Sequence, residues 1–300
     1  MKYSTFLLLT SSLVVACHAF QQNRGHRPVV VVSDGQRRPR LAPLPSDGVV
    51  LTKQDQQVPK KSTFLLATSS DPTSDTQKLD VESLGKYALS LGTQMGLFYA
   101  IFQGADYVSG TTGIQVPFAI NCVLFWLLAL RSRLLNPLEN SRPKTDNLET
   151  GTERRNMPSW TPPGFIFPIM WILIIGPLRA VTTAMVYDVT GSYANIAILS
   201  LMLHLSIGDV WNTINNVERR YGASVVGVLL VWLSNAHAAY QYYQVSHAAG
   251  QLLCLPLIWL TVASALIIRT WQINPDAETG SPYPLYPVVG QGKTEFRWFS

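Results

Sequence analysis

The chain has 300 residues, of which 47% are hydrophobic and only 14% charged, with a formal net charge of +5. A charged fraction this low argues against an ordinary soluble domain, and the gathering of charges and prolines toward the two ends describes a membrane protein with polar extensions. The positive charge lies largely in the N-terminal third and between apolar runs, which makes nucleic acid a poor partner; the three cysteines have no disulfide or metal-ligand spacing, and no phosphate-binding loop, zinc-protease or serine-hydrolase motif occurs.

Residues 1–19 read as a signal peptide, with Lys2 ahead of an apolar core at 6–16 and small residues Cys17 and Ala19 flanking His18. Phe20 would be the first residue after cleavage, and a small-residue site followed by Phe resembles the bipartite plastid-targeting signals of algae with complex plastids. Residues 20–75 suit a basic, disordered, transit-type segment in which Arg24, Arg27, Arg37, Arg38, Arg40, Lys53, Lys60 and Lys61 outweigh Asp34, Asp47 and Asp55. Two other readings stay open. Val14-Val15-Ala16-Cys17 has the form of a bacterial lipoprotein site, and a plain secretory route to the endomembrane system needs only the first signal. The plastid membrane is the favoured location.

The stretch 84–104 comes next. From Tyr87 to Gln103 it has no charge, and it contains Gly92-x-x-x-Gly96, a spacing that permits close helix contact. It is either an extra membrane span or an amphipathic helix on the surface. Five apolar runs of bilayer-spanning length follow, at about 115–135, 164–187, 193–214, 222–243 and 251–271. Lipid offers the backbone no hydrogen-bond partners, so runs of this length satisfy themselves as helices. The connection after the first run carries Arg131, Arg133, Arg142, Lys144, Arg154 and Arg155, and that after the third carries Arg219 and Arg220, whereas 188–191 and 246–250 contain no Lys or Arg. All the basic loops therefore fall on one side, which also receives the C-terminus.

The second run opens with Trp160-Thr161-Pro162-Pro163-Gly164-Phe165 and continues to Trp171. Proline is tolerated in a first helical turn, where its missing N–H would have no partner. An indole beside it suits the membrane–water boundary. Within the spans, Arg179, Asn235 and His237 fall at similar depths and His204 about one turn deeper, together a polar layer about a third of the way from the non-basic side. Polar groups are costly in lipid and turn inward. Such a layer either ties helices together by hydrogen bonds or binds a ligand, with Arg179 for a carboxylate and His204 or His237 as a metal ligand. Asp209 lies nearer the basic side and is not expected to pair with Arg179. The tail 275–300, rich in Pro, Gly and aromatic residues, reads as a disordered extension or a partner-recruiting segment.

On these residues the region 114–274 resembles the TspO/MBR family, the tryptophan-rich sensory and translocator proteins. The firmest part is Trp160 to Phe165 with Trp171 eleven residues after Trp160. Leu205 and Trp211 in the third span, Arg219-Arg220-Tyr221-Gly222, and Trp259, Trp271 and Asn274 in and after the last span also fit. The chain departs from the family pattern at Gly208 and Asp209, where the family has Asn and Trp, at Asn215-Asn216, and at Leu266-Ile267. A sterol-recognition pattern would need a Tyr upstream of Arg269, and 260–268 has none.

The resemblance implies an all-α bundle of five transmembrane helices, with the extra N-terminal helix as an addition, around a pocket open toward the loop between the first two spans. It implies binding of porphyrins, haem-type tetrapyrroles or sterols, with no cofactor required and haem or porphyrin as the ligand, and it implies homodimers. The expected ligand-binding residues are Trp160, Pro162, Pro163, Phe165, Trp171, Arg179, His204, Trp211, Trp259 and Trp271. The leading expectation is a binding protein for a tetrapyrrole or similar flat lipophilic ligand, acting in transport, sensing or scavenging. The alternatives are a porphyrin-photodegrading enzyme working through its indoles, and a structural membrane protein that has lost ligand binding.

Overall fold

A computed structural model describes residues 78–141, 155–276 and 279–299. The signal-peptide and transit-type readings of 1–75 lie outside these residues. The described part is helical, its only ladder-type pairs being the isolated bridges Leu79 with Val288 and Leu138 with Phe296.

Six long helices follow in chain order. Five are long and apolar enough to cross a membrane: α2 (Phe118–Leu135), α3 (Ile166–Thr190), α4 (Ile196–Val217), α5 (Tyr221–Val245) and α6 (His247–Gln272). Their bounds fall within a few residues of the five apolar runs. They are preceded by α1 (Val81–Thr112), of 32 residues. Local chemistry sets the ends. Asp80 caps α1 by accepting a 2.9 Å bond from the Ser83 N–H, and Gly113 ends it at φ 68°, a left-handed value that suits glycine. Asn195 caps α4 by accepting from Ile198 N–H at 2.9 Å. Ser246 starts α6, and Pro256 interrupts that helix near its middle.

The middle of α3 is wound more loosely. Residues Ile169–Ile175 form a π-helical stretch just before Gly176-Pro177, where the missing proline N–H disturbs the regular ladder. Trp126 of α2 fills the gap, its indole N–H donating to the Ile172 carbonyl at 3.1 Å. A Cβ on Gly176 would come within 3.0 Å of that indole nitrogen, so the glycine is what lets the two helices close here.

The bundle packs α2 on α3, α4 on α5 and α5 on α6, with the start of α6 also on α3. Its apolar core includes Ile198, Leu201, Met202, Ala238, Tyr242 and Leu253. α1 lies along α4. It does so through Ser83, Tyr87, Ser90, Gln94, Phe98 and Phe102, a stripe at helical spacing. The Gly92 and Gly96 pair is on the exposed side, where an added Cβ at either would meet nothing within 4 Å. The close contact its spacing permits is therefore not used within the chain.

The two ends of α1 meet opposite ends of the bundle. At one end Asp106 accepts bonds from the Tyr193 and Ala194 N–H groups at 2.7 and 2.9 Å, in the loop between α3 and α4. At the other, Asp80 and Tyr87 meet the loop between α4 and α5. Arg220 there is fully buried and ion-pairs with Asp80 and Glu218 at 2.8 and 2.9 Å, while the Tyr87 hydroxyl donates to Glu218. Burial raises the Asp80 carboxyl, but hydrogen bonds from the Ser83 hydroxyl and N–H and from Arg220 outweigh it and hold the group at about 2. Burial wins at Glu218, whose carboxyl is raised despite Tyr87 and Arg220.

The tail is a correction to the disordered reading. Residues 279–299 return across the same end of the bundle. Asp80 N–H donates to Pro287 O at 2.8 Å, Val289 N–H to Lys78 O at 2.9 Å, Glu139 N–H to Glu295 O at 2.9 Å, and Arg297 N–H to Pro137 O at 2.8 Å. The Trp271 indole donates to Tyr283 O at 2.8 Å, and Thr294 bonds Ser83 at 2.8 Å. A segment too poor in apolar residues to fold alone is ordered by backbone partners on α1 and the loops, which a composition count does not see.

Candidate functional site

The centre of the bundle holds one polar cluster. Arg179 of α3 is 7% exposed and donates a 2.5 Å bond from one terminal nitrogen to Nε2 of His204 on α4. With Nε2 accepting, Nδ1 carries the proton and faces the Val231 carbonyl at 3.1 Å and the Ser234 hydroxyl at 3.0 Å, both on α5. Three helices are thus joined through one imidazole. Beside it, the Thr183 and Tyr242 hydroxyls are 2.9 Å apart. Both ring nitrogens of His204 are engaged, so its role is to orient Arg179 rather than to offer a free nitrogen to a metal. His237 is exposed and lies away from the cluster, and Asn235 turns to α6, donating to the Leu253 carbonyl at 3.1 Å. Among the described residues no group of three or more His, Cys, Asp or Glu could hold a metal ion.

The Arg179 guanidinium carbon stands 5.4 Å from the centre of the Trp171 ring, within cation–π range. Its Nε–H has no hydrogen-bond partner, and the same is true of the buried Trp259 indole N–H and the Asn235 side-chain oxygen. Buried polar groups are nearly always paired, so unpaired donors in a membrane-spanning bundle mark where a polar ligand group would gain most. Phe167 and Trp259 meet edge to face at 5.7 Å between ring centres, joining α3 to α6. Phe167 lies in the α-helical turn just before the loosely wound stretch of α3, four residues ahead of Trp171, which is on it.

The structure divides the expected ligand residues into three groups. Trp171, Arg179 and His204 come together in the bundle centre, and Trp259 joins α3 through Phe167. Trp211 and Trp271 share a separate cluster with Val225, Val228 and Ile267 nearer the basic loops. There the Trp211 indole donates to the Ser224 carbonyl at 3.1 Å. Trp160, Pro162, Pro163 and Phe165 form the turn leading into α3, where Pro158 O accepts from Thr161 N–H at 3.0 Å and Pro163 O from Ile166 N–H at 2.9 Å. Trp160 is 49% and Phe165 65% exposed, so neither ring lines the interior in this conformation. The turn is tethered from below: the Asn274 side-chain amide makes a reciprocal pair with the Asn156 backbone at 2.8 and 2.9 Å.

Sequence reasoning missed Gln94, Ser234, Thr183, Tyr242 and Phe167. Gln94 is fully buried and satisfies both ends of its amide. It donates to Asp209 Oδ2 at 2.8 Å and to Ser132 O at 2.9 Å, and it accepts from Asn136 at 2.8 Å. Asp209 is therefore held by α1, in keeping with the expectation that it does not pair with Arg179. The signal for Gln94 was its place on an uncharged helix, where a long amide with no nearby partner in sequence asks for one in space.

Residues 125–272 match the TspO/MBR family. The chain is similar to Protein CrtK of Rhodobacter capsulatus, 27% identical over 121 residues that cover 39% of this chain and 74% of that protein. It is 26% identical over 119 residues to the tryptophan-rich sensory protein of Cereibacter sphaeroides, covering 40% of this chain and 73% of the other. To the translocator protein of Bos taurus it is 29% identical over 126 residues, covering 41% and 74%. The matched region takes in α3 to α6 and the end of α2, and it leaves out α1 and the folded tail.

Proposed function

We propose, on the premise that this chain belongs to the TspO/MBR family and is a multi-pass membrane protein, that it binds a flat, lipid-soluble ring ligand bearing a carboxylate, of the tetrapyrrole class. One observation carries the reading: Arg179 lies over the Trp171 ring with its Nε–H unpaired. A carboxylate would find a charge-assisted donor there, and an aromatic macrocycle would find indole and phenyl surface at Trp171, Phe167 and Trp259. His204 acts by holding the guanidinium in place. The role that follows is carriage, sensing or scavenging of such a ligand, and the exposed Trp160–Phe165 turn is the part free to close over it.

The test is a titration of the purified full chain with protoporphyrin and with its dimethyl ester, followed by tryptophan quenching. Protoporphyrin should bind at least tenfold more tightly than the ester, and Arg179→Met should remove the difference. Equal affinities in the native protein would remove the carboxylate site.

The same reading takes α1 as a sixth membrane crossing. Its ends bond to loops at opposite ends of α4, and 32 residues reach about 48 Å. Cysteines introduced at Lys78 and at Gly110 should be labelled by an impermeant reagent from opposite sides. A plastid membrane is the proposed location, tested by fusing residues 1–75 to a fluorescent protein. The fusion should reach the plastid and Phe20→Ala should stall it, whereas secretion of the unaltered fusion would count against the location.

A further inference from the structure

Two apolar grooves flank α1. One, of about 530 Å³, lies between α1 and α2 beside Phe102, Phe125 and Tyr193, toward the loop that joins α3 to α4. The other, of about 400 Å³, runs between Ala88 of α1 and Val226 and Leu230 of α5, over Trp211 of α4, and reaches Tyr286 of the tail. Their linings are alike, but the surrounding charge is not. Apart from Arg179, every described Lys and Arg lies at the end of the bundle that holds the second groove, where they outnumber Asp80, Glu82, Glu139, Glu218, Asp276 and Glu295, while the charges at the other end are Asp106 and Asp188.

We propose that the second groove is a binding site for one acyl chain of an anionic phospholipid, drawn from the leaflet on the basic side. Along its length the side-chain polar groups are already used, the Tyr87 hydroxyl donating to Glu218 and the Trp211 indole to the Ser224 carbonyl, and the remaining hydroxyl is that of Tyr286 at its end. A hydrocarbon chain along the groove therefore meets almost entirely apolar surface, whereas a ligand with polar groups along its length would leave them unpaired. Gly227 keeps the space open. A Cβ there would come within 2.7 Å of the Trp211 ring, which instead sits directly against α5. Leu230 is 49% exposed, so the groove is open sideways and a chain can enter from the bilayer.

At its end, Tyr286 stands at the level of the basic loops, where an amphipathic ring is at home. An anionic headgroup left at that level is attracted by the excess of Lys and Arg over Asp and Glu at this end, an effect that fades within a Debye length. That attraction decides the lipid class, since the hydrocarbon contacts do not distinguish headgroups. Two of the walls, α1 and the tail, lie outside residues 125–272, so the groove belongs to what this chain adds to the family region.

The test uses the full chain in phosphatidylcholine nanodiscs doped with phosphatidylglycerol carrying a photoactivatable diazirine on one acyl chain. Cross-links are mapped by mass spectrometry. They should concentrate on α1 near Ala88, on the first turns of α5 and on the tail near Tyr286. The yield should fall at least fivefold when the same chain is carried by phosphatidylcholine. It should fall likewise in Ala88→Trp, an exposed substitution that fills the groove, with thermal unfolding unchanged. Equal yields from the two headgroups, yields that Ala88→Trp leaves unmoved, or equal labelling of the first groove by phosphatidylglycerol would each overturn the proposal. Protoporphyrin binding by Ala88→Trp should match the native protein. If it is lost while lipid labelling persists, the ring ligand occupies this groove and the lipid site is overturned.

Discussion

Gln94 on α1 donates a 2.8 Å hydrogen bond to Asp209 on α4, and the two side chains join the helix outside the family match to the span inside it. Asp209 stands where the family pattern has Trp. An unpartnered carboxylate at that depth would be costly. With Gln94, Ser132, Asn136 and Ser90 in one network it has a partner, and α1 is tied to the bundle. The residue that departs from the family pattern is thus satisfied by the helix that lies outside the family match.

Gln94→Leu should therefore destabilise the protein by about 1–3 kcal/mol, because it removes one hydrogen-bond donor from the buried Asp209 carboxylate and one from the Ser132 carbonyl, and leaves the Asn136 side-chain N–H without its acceptor. Combining it with Asp209→Leu should recover most of the loss, since removing both members of a buried pair is far cheaper than removing one. Thermal unfolding of the single and double variants in detergent checks this. A double variant no more stable than Gln94→Leu alone would show that the pair is not coupled.

His204→Leu should weaken protoporphyrin binding roughly tenfold, or about 1.4 kcal/mol, by releasing the Arg179 guanidinium from its orientation. Binding of the dimethyl ester should change little. His204→Gln, which keeps an acceptor, should restore part of the affinity. Comparable losses for acid and ester would mean that His204 supports the fold alone.

Gly222→Ala should loosen the tail. A Cβ at that position would collide with the Pro284 backbone carbonyl, and neither backbone can yield as a side chain would. Limited proteolysis should cut within 281–299 several-fold faster in the variant, with cleavage elsewhere unchanged.

Acid should release the same end of the bundle in a defined window. Asp80 titrates at about 2 in the folded chain against an ordinary 3.8. Its contribution is thus complete above about pH 4 and lost as the pH falls through 2. Glu218 acts in the opposite sense: its raised carboxyl costs stability where it is ionised, and protonation on acidification relieves that cost. Hydrogen exchange at the start of α1 and in the tail should stay level or slow from neutral pH to about 5, once corrected for the intrinsic rate, then accelerate below 4. Asp80→Asn should abolish the acid limb.

Five spans and the Trp-Thr-Pro-Pro entrance were legible in the sequence because each depends on local pattern. Apolar length fixes a span and proline fixes a first turn. The Arg179–His204 contact was half legible: a shared polar layer, with His204 about a turn deeper, suggested it, but depth says nothing about which way a side chain points. The same depth argument included His237, which is exposed. Trp171, Trp211 and Trp271 read alike as tryptophans in spans, yet Trp171 lies under Arg179 while the other two sit in a separate cluster.

The sequence by itself determined that the chain crosses a membrane, and that its region 114–274 is built like the TspO/MBR proteins, since hydropathy and short motifs are properties of neighbours along the chain. The tertiary structure alone decided how the additions are used. Gln94 finds Asp209 at a separation of 115 residues, and Thr294 finds Ser83 at 211. Those partners are fixed by the packing of α1 and the tail on the bundle, and no local periodicity encodes them. A buried polar group must find a partner, but the fold chooses which.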